Sequence, residues 1–232
     1  MRVARNVLIV LVVLFGLFVA ADRITVSIAQ NKAAQQAQTT QGLSSKPHVS
    51  IEGFPFLTQV LSGKLDHVKV SAQGLAASSD GQQVRFESLH ADLHGVKLSN
   101  GFRSAVADRA DGQVFLTYAD LQKAINIPGL TVSYGGPAAG GGARVRLSGP
   151  MLGSQLSVVS TLSADGGHSV ALHADKVPTA FSALGLENQL RHQIDVTLPI
   201  AHLPEGLGLT SVAAAQDGIT VTADGHHVVL AN

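Results

Sequence analysis

The stretch Val84-Arg-Phe-Glu-Ser-Leu-His-Ala-Asp-Leu93 decides how this chain is read. Val84 and Phe86 alternate with Arg85 and Glu87, and Leu89, Ala91 and Leu93 then alternate with His90 and Asp92. Successive side chains of an extended strand point to opposite faces, so a period of two marks a strand with one wet face and one apolar face. The apolar set changes parity near Ser88, as a β-bulge would make it.

The same period recurs on both sides of this stretch. It is carried by Val49 and Ile51, by Val68 and Val70, by Val145 and Leu147, and by Val170 and Leu172. Ile194, Val196, Leu198 and Ile200 continue it, and Ile219, Val221 and Ala223 complete it. Asp-Gly pairs stand beside or between these runs at Asp80-Gly81, Asp111-Gly112, Asp165-Gly166, Asp217-Gly218 and Asp224-Gly225. Both residues tolerate the positive φ of tight turns, so each pair predicts a hairpin. Short connections make antiparallel neighbours. The expected fold is α+β and strand-dominated, a meander of long antiparallel hairpins with a few short helices.

Those helices are predicted from their caps. Thr117 followed by Asp120 opens one that carries Leu121, Ala124 and Ile125 and stops at Pro128-Gly129. A second runs from Pro178 to Leu184. A third begins at Phe56, after Gly53-Phe54-Pro55, with Val60 and Leu61 on one side. Residues 135–142 form a small-residue loop, and no period of 20 to 50 residues marks a solenoid.

Arg2 and Arg5 precede an unbroken apolar run from Val7 to Ala21, ended by Asp22 and Arg23. This matches a secretory signal peptide, with an uncleaved anchor as the alternative if the helix runs on through Ile24 and Ile28. Either places the remainder outside the cytoplasmic membrane. The expected layout is 1–21 signal peptide or anchor, 22–46 helix or stalk with Ile24 and Ile28 as its apolar stripe, and 47–232 a single β-rich domain.

Composition narrows the chemistry. Sixteen Lys and Arg balance sixteen Asp and Glu, so no net charge draws nucleic acid. Cysteine is absent, which removes disulfides, thiolate metal sites and a cysteine nucleophile. The chain has no Gly-x-Ser-x-Gly elbow, and residues 135–142 lack the Lys-Ser/Thr ending of a phosphate loop. With no Trp and two Tyr, an aromatic sugar cleft has no material. His90, Asp92 and His94 share one face of a strand and form a candidate metal set. The plainer reading turns them to water while Leu89, Ala91 and Leu93 face the core. No cofactor is expected.

What remains is an apolar surplus without catalytic residues. A curved sheet flanked by helices can enclose a groove for acyl chains. Burying about 16 methylenes is worth on the order of 13 kcal/mol against water, at ~0.8 kcal/mol each, yet close to nothing against a bilayer. The alternative is an envelope interaction module with a dry core.

The segment Val49-Ser-Ile-Glu-Gly-Phe-Pro-Phe-Leu-Thr-Gln-Val-Leu-Ser-Gly-Lys-Leu-Asp-His-Val-Lys-Val70 resembles the opening of the actinobacterial LmeA-like phospholipid-binding family. Leu89-His-Ala-Asp-Leu-His-Gly-Val96, Arg109-Ala-Asp-Gly-Gln-Val114 and Tyr118-Ala-Asp-Leu121 continue the likeness. Leu203-Pro-Glu-Gly-Leu-Gly-Leu-Thr-Ser-Val212 and Asp217-Gly-Ile-Thr-Val221 close it. The resemblance implies half of a tubular lipid-binding fold, a curved antiparallel sheet wrapped round a long N-terminal helix. It also implies a non-enzymatic role with phospholipid, inositol phospholipids included, at the membrane during cell-envelope assembly. Phe54, Phe56, Leu57, Val60 and Leu61 are expected near the groove mouth, with Leu121, Ile125 and Ile127 opposite. Pro55 would aim the two Phe rings together. Lys64, Lys69, Arg85 and Arg103 are cations within reach of a phosphate, and none is assigned to a head group.

Overall fold

A computed structural model describes residues 2–40, 42–79, 82–100, 104–125, 128–138, 142–151, 154–176, 188, 191, 195–200 and 203–231. The helix expected at Pro178–Leu184 lies outside them. A single helix, α1, runs from Arg2 to Thr40 without a break at Asp22. After it come β1 (His48–Glu52), α2 (Phe56–Ser62), β2 (Lys64–Ser79), β3 (Gln82–Ser99) and β4 (Ser104–Thr117). Then follow α3 (Tyr118–Ile125), β5 (Thr131–Tyr134), β6 (Ala143–Met151), β7 (Ser154–Asp165), β8 (Ser169–Lys176) and β9 (Val196–Pro199). The hairpin β10 (Leu207–Ala214) and β11 (Gly218–Ala231) ends the fold.

The fold is α+β, dominated by antiparallel strands, as the alternation required. The strands divide between two sheets, ordered β1-β2-β3-β4-β11-β10 and β5-β6-β7-β8-β9. The meander is interrupted because α3 carries the chain away after β4, and the last hairpin returns to pair with β4.

Asp80-Gly81 lies outside the described residues, between the paired Ser79 and Gln82. Two Asp-Gly pairs fall where turns were expected: Asp165 pairs with Ser169, and Ala215 N–H donates to the Gly218 carbonyl at 2.9 Å. The other two lie inside strands. Asp111-Gly112 is paired on both sides within β4, and Asp224-Gly225 within β11. At Gly225 the Gly206 carbonyl approaches so closely that any Cβ would collide with it. That glycine admits a neighbouring backbone instead of turning the chain.

The parity change expected near Ser88 is present, but no residue is inserted. Gln73 pairs with Ser88 and Leu75 with Phe86, so the register is kept across Gly74 (φ 60°) and Glu87. A second reversal crosses four strands. Leu65, Val96, Ala107 and Val228 form one buried cross-strand row, and Val68, Leu93 and Ala110 form the next inward one. These rows are three residues apart, so plain alternation would put them on opposite faces. Between them Gly95 (φ 62°) and His227 (φ 53°) reverse the pleat. The inner face therefore stays apolar on both sides of the crease, and the outer face gains two polar rows.

Two cores result. One gathers Val26 and Ala34 of α1, Val49, Phe56, Leu65, Val68, Val96, Ala107, Ala110 and Val228. The other joins Leu130, just before β5, and Val132, Val145, Leu147, Val158 and Leu162 of the second sheet to Val212 and Ile219 of the first. Helix α1 packs on β1 and α2, along one edge of the first sheet. Its expected stripe is corrected here: Ile24 and Ile28 are 62% and 52% exposed, whereas Val26 and Ala34 are buried. Two residues turn a helix by about 200°, so facing the sheet with Val26 turns both isoleucines away.

Within the second core the Ser160 hydroxyl is fully buried and has no hydrogen-bond partner among the described residues. An unmet buried hydroxyl costs ~1–3 kcal/mol. Ser160→Ala is therefore expected to raise stability by about 1 kcal/mol, read as an upward shift of the thermal midpoint.

Candidate functional site

Sheet register places two rows of short side chains across the middle of the first sheet's inner face. Val70, Ala91, Gly112 and Ala223 form one, and Ala72, Leu89, Val114 and Val221 form the other. On one side lies the core that includes Val68 and Leu93, and on the other the core that includes Ile219. All but Ala223 keep partial exposure. The rows form a partly exposed aliphatic band, the trough, whose Val70 packs toward one core and Val221 toward the other. A Cβ added at Gly112 would meet only the Ala223 carbonyl, at 3.8 Å, so the glycine leaves room on this face. Sequence reasoning found Val70, Leu89, Ala91, Val221 and Ala223 as strand positions but not as a site, because Asp111-Gly112 reads as a turn until its pairing joins them in rows.

The expected groove residues do not form one mouth. Phe56 is 3% exposed and Val60 packs beside it in the first core, while Leu61 on the same helix is 87% exposed. Val60 and Leu61 thus do not share a side, since adjacent helical residues stand about 100° apart. Phe54 is 53% exposed whereas Phe56 is buried, so the two rings on either side of Pro55 do not share one environment. The Arg23 guanidinium lies over the Phe54 ring, 5.2 Å from its centroid. Leu57 is half-buried, and its N–H donates to Asp22 Oδ1 at 2.9 Å.

Helix α3 forms as expected, with the Thr117 hydroxyl accepting from Asp120 N–H at 3.1 Å and donating to Asp120 Oδ2 at 2.8 Å. Leu121 packs into the second core. The Ile125 side chain and Ile127 lie outside the described residues. Helices α2 and α3 stand at opposite ends of β4, since Gly63 after α2 bonds Leu98, the partner of Ala105, while α3 follows Thr117. They bracket the trough lengthwise and do not face one another across it.

The outer face of the same sheet is polar. Lys69 pairs with Glu52 at 2.8 Å, and its hydrogen bond holds the Glu52 carboxyl below the usual range. Lys97 at 2.7 Å, then Lys64 at 3.3 Å, do the same for Asp108. His67 places its two ring nitrogens 3.0 Å from Glu52 and 2.8 Å from Asp92, and its ring stacks on His94 at 4.2 Å. Asp92 is thus engaged across the strands by His67, not by its neighbours His90 and His94. Among the described residues no set of three His, Cys, Asp or Glu is arranged to hold a metal ion. The cations weighed for a phosphate, Lys64 and Lys69, serve these pairs, and Arg103 lies outside the described residues.

The first part of α1 is long and apolar enough to cross a membrane. Each large apolar residue from Val7 to Leu17 is more than half exposed, so the chain does not use this segment as a core helix. A signal sequence and an anchor share these properties.

The inner face of this strand-dominated fold thus presents aliphatic rows that stay partly exposed. Residues 20–224 match the family model described as LmeA-like phospholipid-binding, and the chain belongs to that family. This is a lipid-binding family, not a family of enzymes. No curated protein and no solved structure matches the chain.

Proposed function

We propose that this protein holds phospholipid acyl chains in the trough of its first sheet, without catalysis, and carries them during assembly or maintenance of the cell envelope. The observation that supports this most is the double row from Val70 to Ala223 and from Ala72 to Val221, aliphatic and still partly open between two packed cores. Family membership supports phospholipid as the ligand class, and the sequence resemblance extends it to inositol phospholipids. The apolar start of α1 supports a place on the outer side of the cytoplasmic membrane, released or anchored.

Transfer follows from the energetics. A methylene leaving water for the trough gains ~0.8 kcal/mol, but one leaving a bilayer gains almost nothing. The protein can therefore take up and return lipid without a strong bias. Native mass spectrometry of the full chain, released from detergent, is expected to retain species heavier by one diacyl phospholipid. A spectrum of lipid-free chain alone after mild purification would refute the proposal and favour an envelope interaction module.

A further inference from the structure

Among the described residues beyond α1, the large apolar side chains left exposed are Phe54, Leu61 and Ile200. Two of these three lie on one corner, formed by the Gly53–Pro55 segment and α2. That corner is fastened to α1 immediately past the end of the apolar run. Leu57 N–H donates to the fully buried Asp22, which also takes the Arg23 guanidinium, and Arg23 in turn lies over Phe54. Because α1 is continuous through Asp22, the height of the corner relative to the apolar run is fixed.

The strictly apolar run ends at Ala21, beside the corner. Fifteen residues from Val7 to Ala21 rise about 22 Å as a helix. A hydrocarbon core is ~30 Å thick. Ile24 and Ile28 carry exposed apolar surface past the charged pair, Phe54 lies against Arg23 of the same stretch, and Leu61 is exposed on α2, one turn beyond Leu57. Asp22, the one carboxylate of α1, is covered by the corner itself, and the corner's Glu52 is paired with Lys69 on the outer face. Aromatic and aliphatic side chains with a nearby arginine are the groups that settle at the boundary between head groups and acyl chains.

We propose that the corner of Phe54 and α2 is a bilayer-contacting face, seated in the interfacial layer of the membrane that the first part of α1 enters. The domain is then held in a fixed orientation at the membrane and does not swing on a stalk. This reading rests on the corner and α1, and on no property of the trough.

The chain has no Trp, so single indoles report their own depth. Phe54→Trp, Leu61→Trp and, as a distant control at the exposed β10–β11 turn, Gln216→Trp would each be made in the full chain. Each would be reconstituted in phosphatidylcholine vesicles with acyl chains brominated near the head-group end. The indoles at 54 and 61 are expected to emit at shorter wavelength and to lose half or more of their fluorescence to bromine, while the control is unaffected. The same quenching is expected when Gly112→Phe is added to fill the trough, because the bilayer and not a carried lipid is the quencher. Indoles at 54 and 61 that behave like the control would overturn the proposal. Quenching that vanishes in the trough-filled background would overturn it too, by assigning the signal to cargo.

Discussion

Gly112→Phe is expected to lower the phospholipid that co-purifies with the protein by about tenfold or more, a change of ~1.4 kcal/mol or greater in binding, while leaving the fold intact. The position is suited to this test. Gly112 lies within β4, paired to Ala91 on one side and to Ala223 on the other, and has no positive φ that a side chain would oppose. A Cβ there meets ordinary van der Waals contact at 3.8 Å. The added ring would lie over the short side chains of Ala91 and Ala223, taking the space proposed for an acyl chain. Lipid extracted into organic solvent and weighed against protein measures the effect, and circular dichroism checks the fold. Unchanged lipid content in a folded variant would place the acyl site elsewhere.

The largest effect on stability is expected from Phe56→Ala. Phe56 is 3% exposed and packs in the core that joins α1, α2 and the first sheet. Removing a buried ring leaves a cavity and costs ~3–5 kcal/mol, a large share of the ~5–15 kcal/mol that holds a domain folded. Loss of this ring also loosens α2, and with it the bond from Leu57 N–H to Asp22. Leu61→Ser, one turn away and 87% exposed, is expected to change stability by less than about 0.5 kcal/mol. Urea unfolding of the two variants side by side measures the difference. Equal midpoints would mean that α2 does not belong to the core.

Much of the fold could be read locally. Strand alternation around Leu89, Val145, Val170 and Val221 was legible because the direction of a side chain along a strand depends only on its neighbours. The cap of α3 was legible for the same reason, since Thr117 and Asp120 complete it within one turn. Ile24 and Ile28 misled because a helix shows its apolar residues to a reader without showing which side the sheet occupies. Asp111-Gly112 and Asp224-Gly225 misled because a dipeptide suited to a turn is also suited to a strand where a small residue is needed.

The sequence by itself determined an antiparallel, strand-rich chain with a long apolar segment near its start, an apolar surplus and the marks of a lipid-binding family. Those properties are set by the order of residue types over a few positions. Only the tertiary structure decided that β11 lies beside β4, that Ala91, Gly112 and Ala223 meet in one row, and that Phe54 and Leu61 stand uncovered while Phe56 is buried between them in sequence. Each of these depends on residues far apart in the chain, whose pairing is fixed by the packing of the whole and not by any local period.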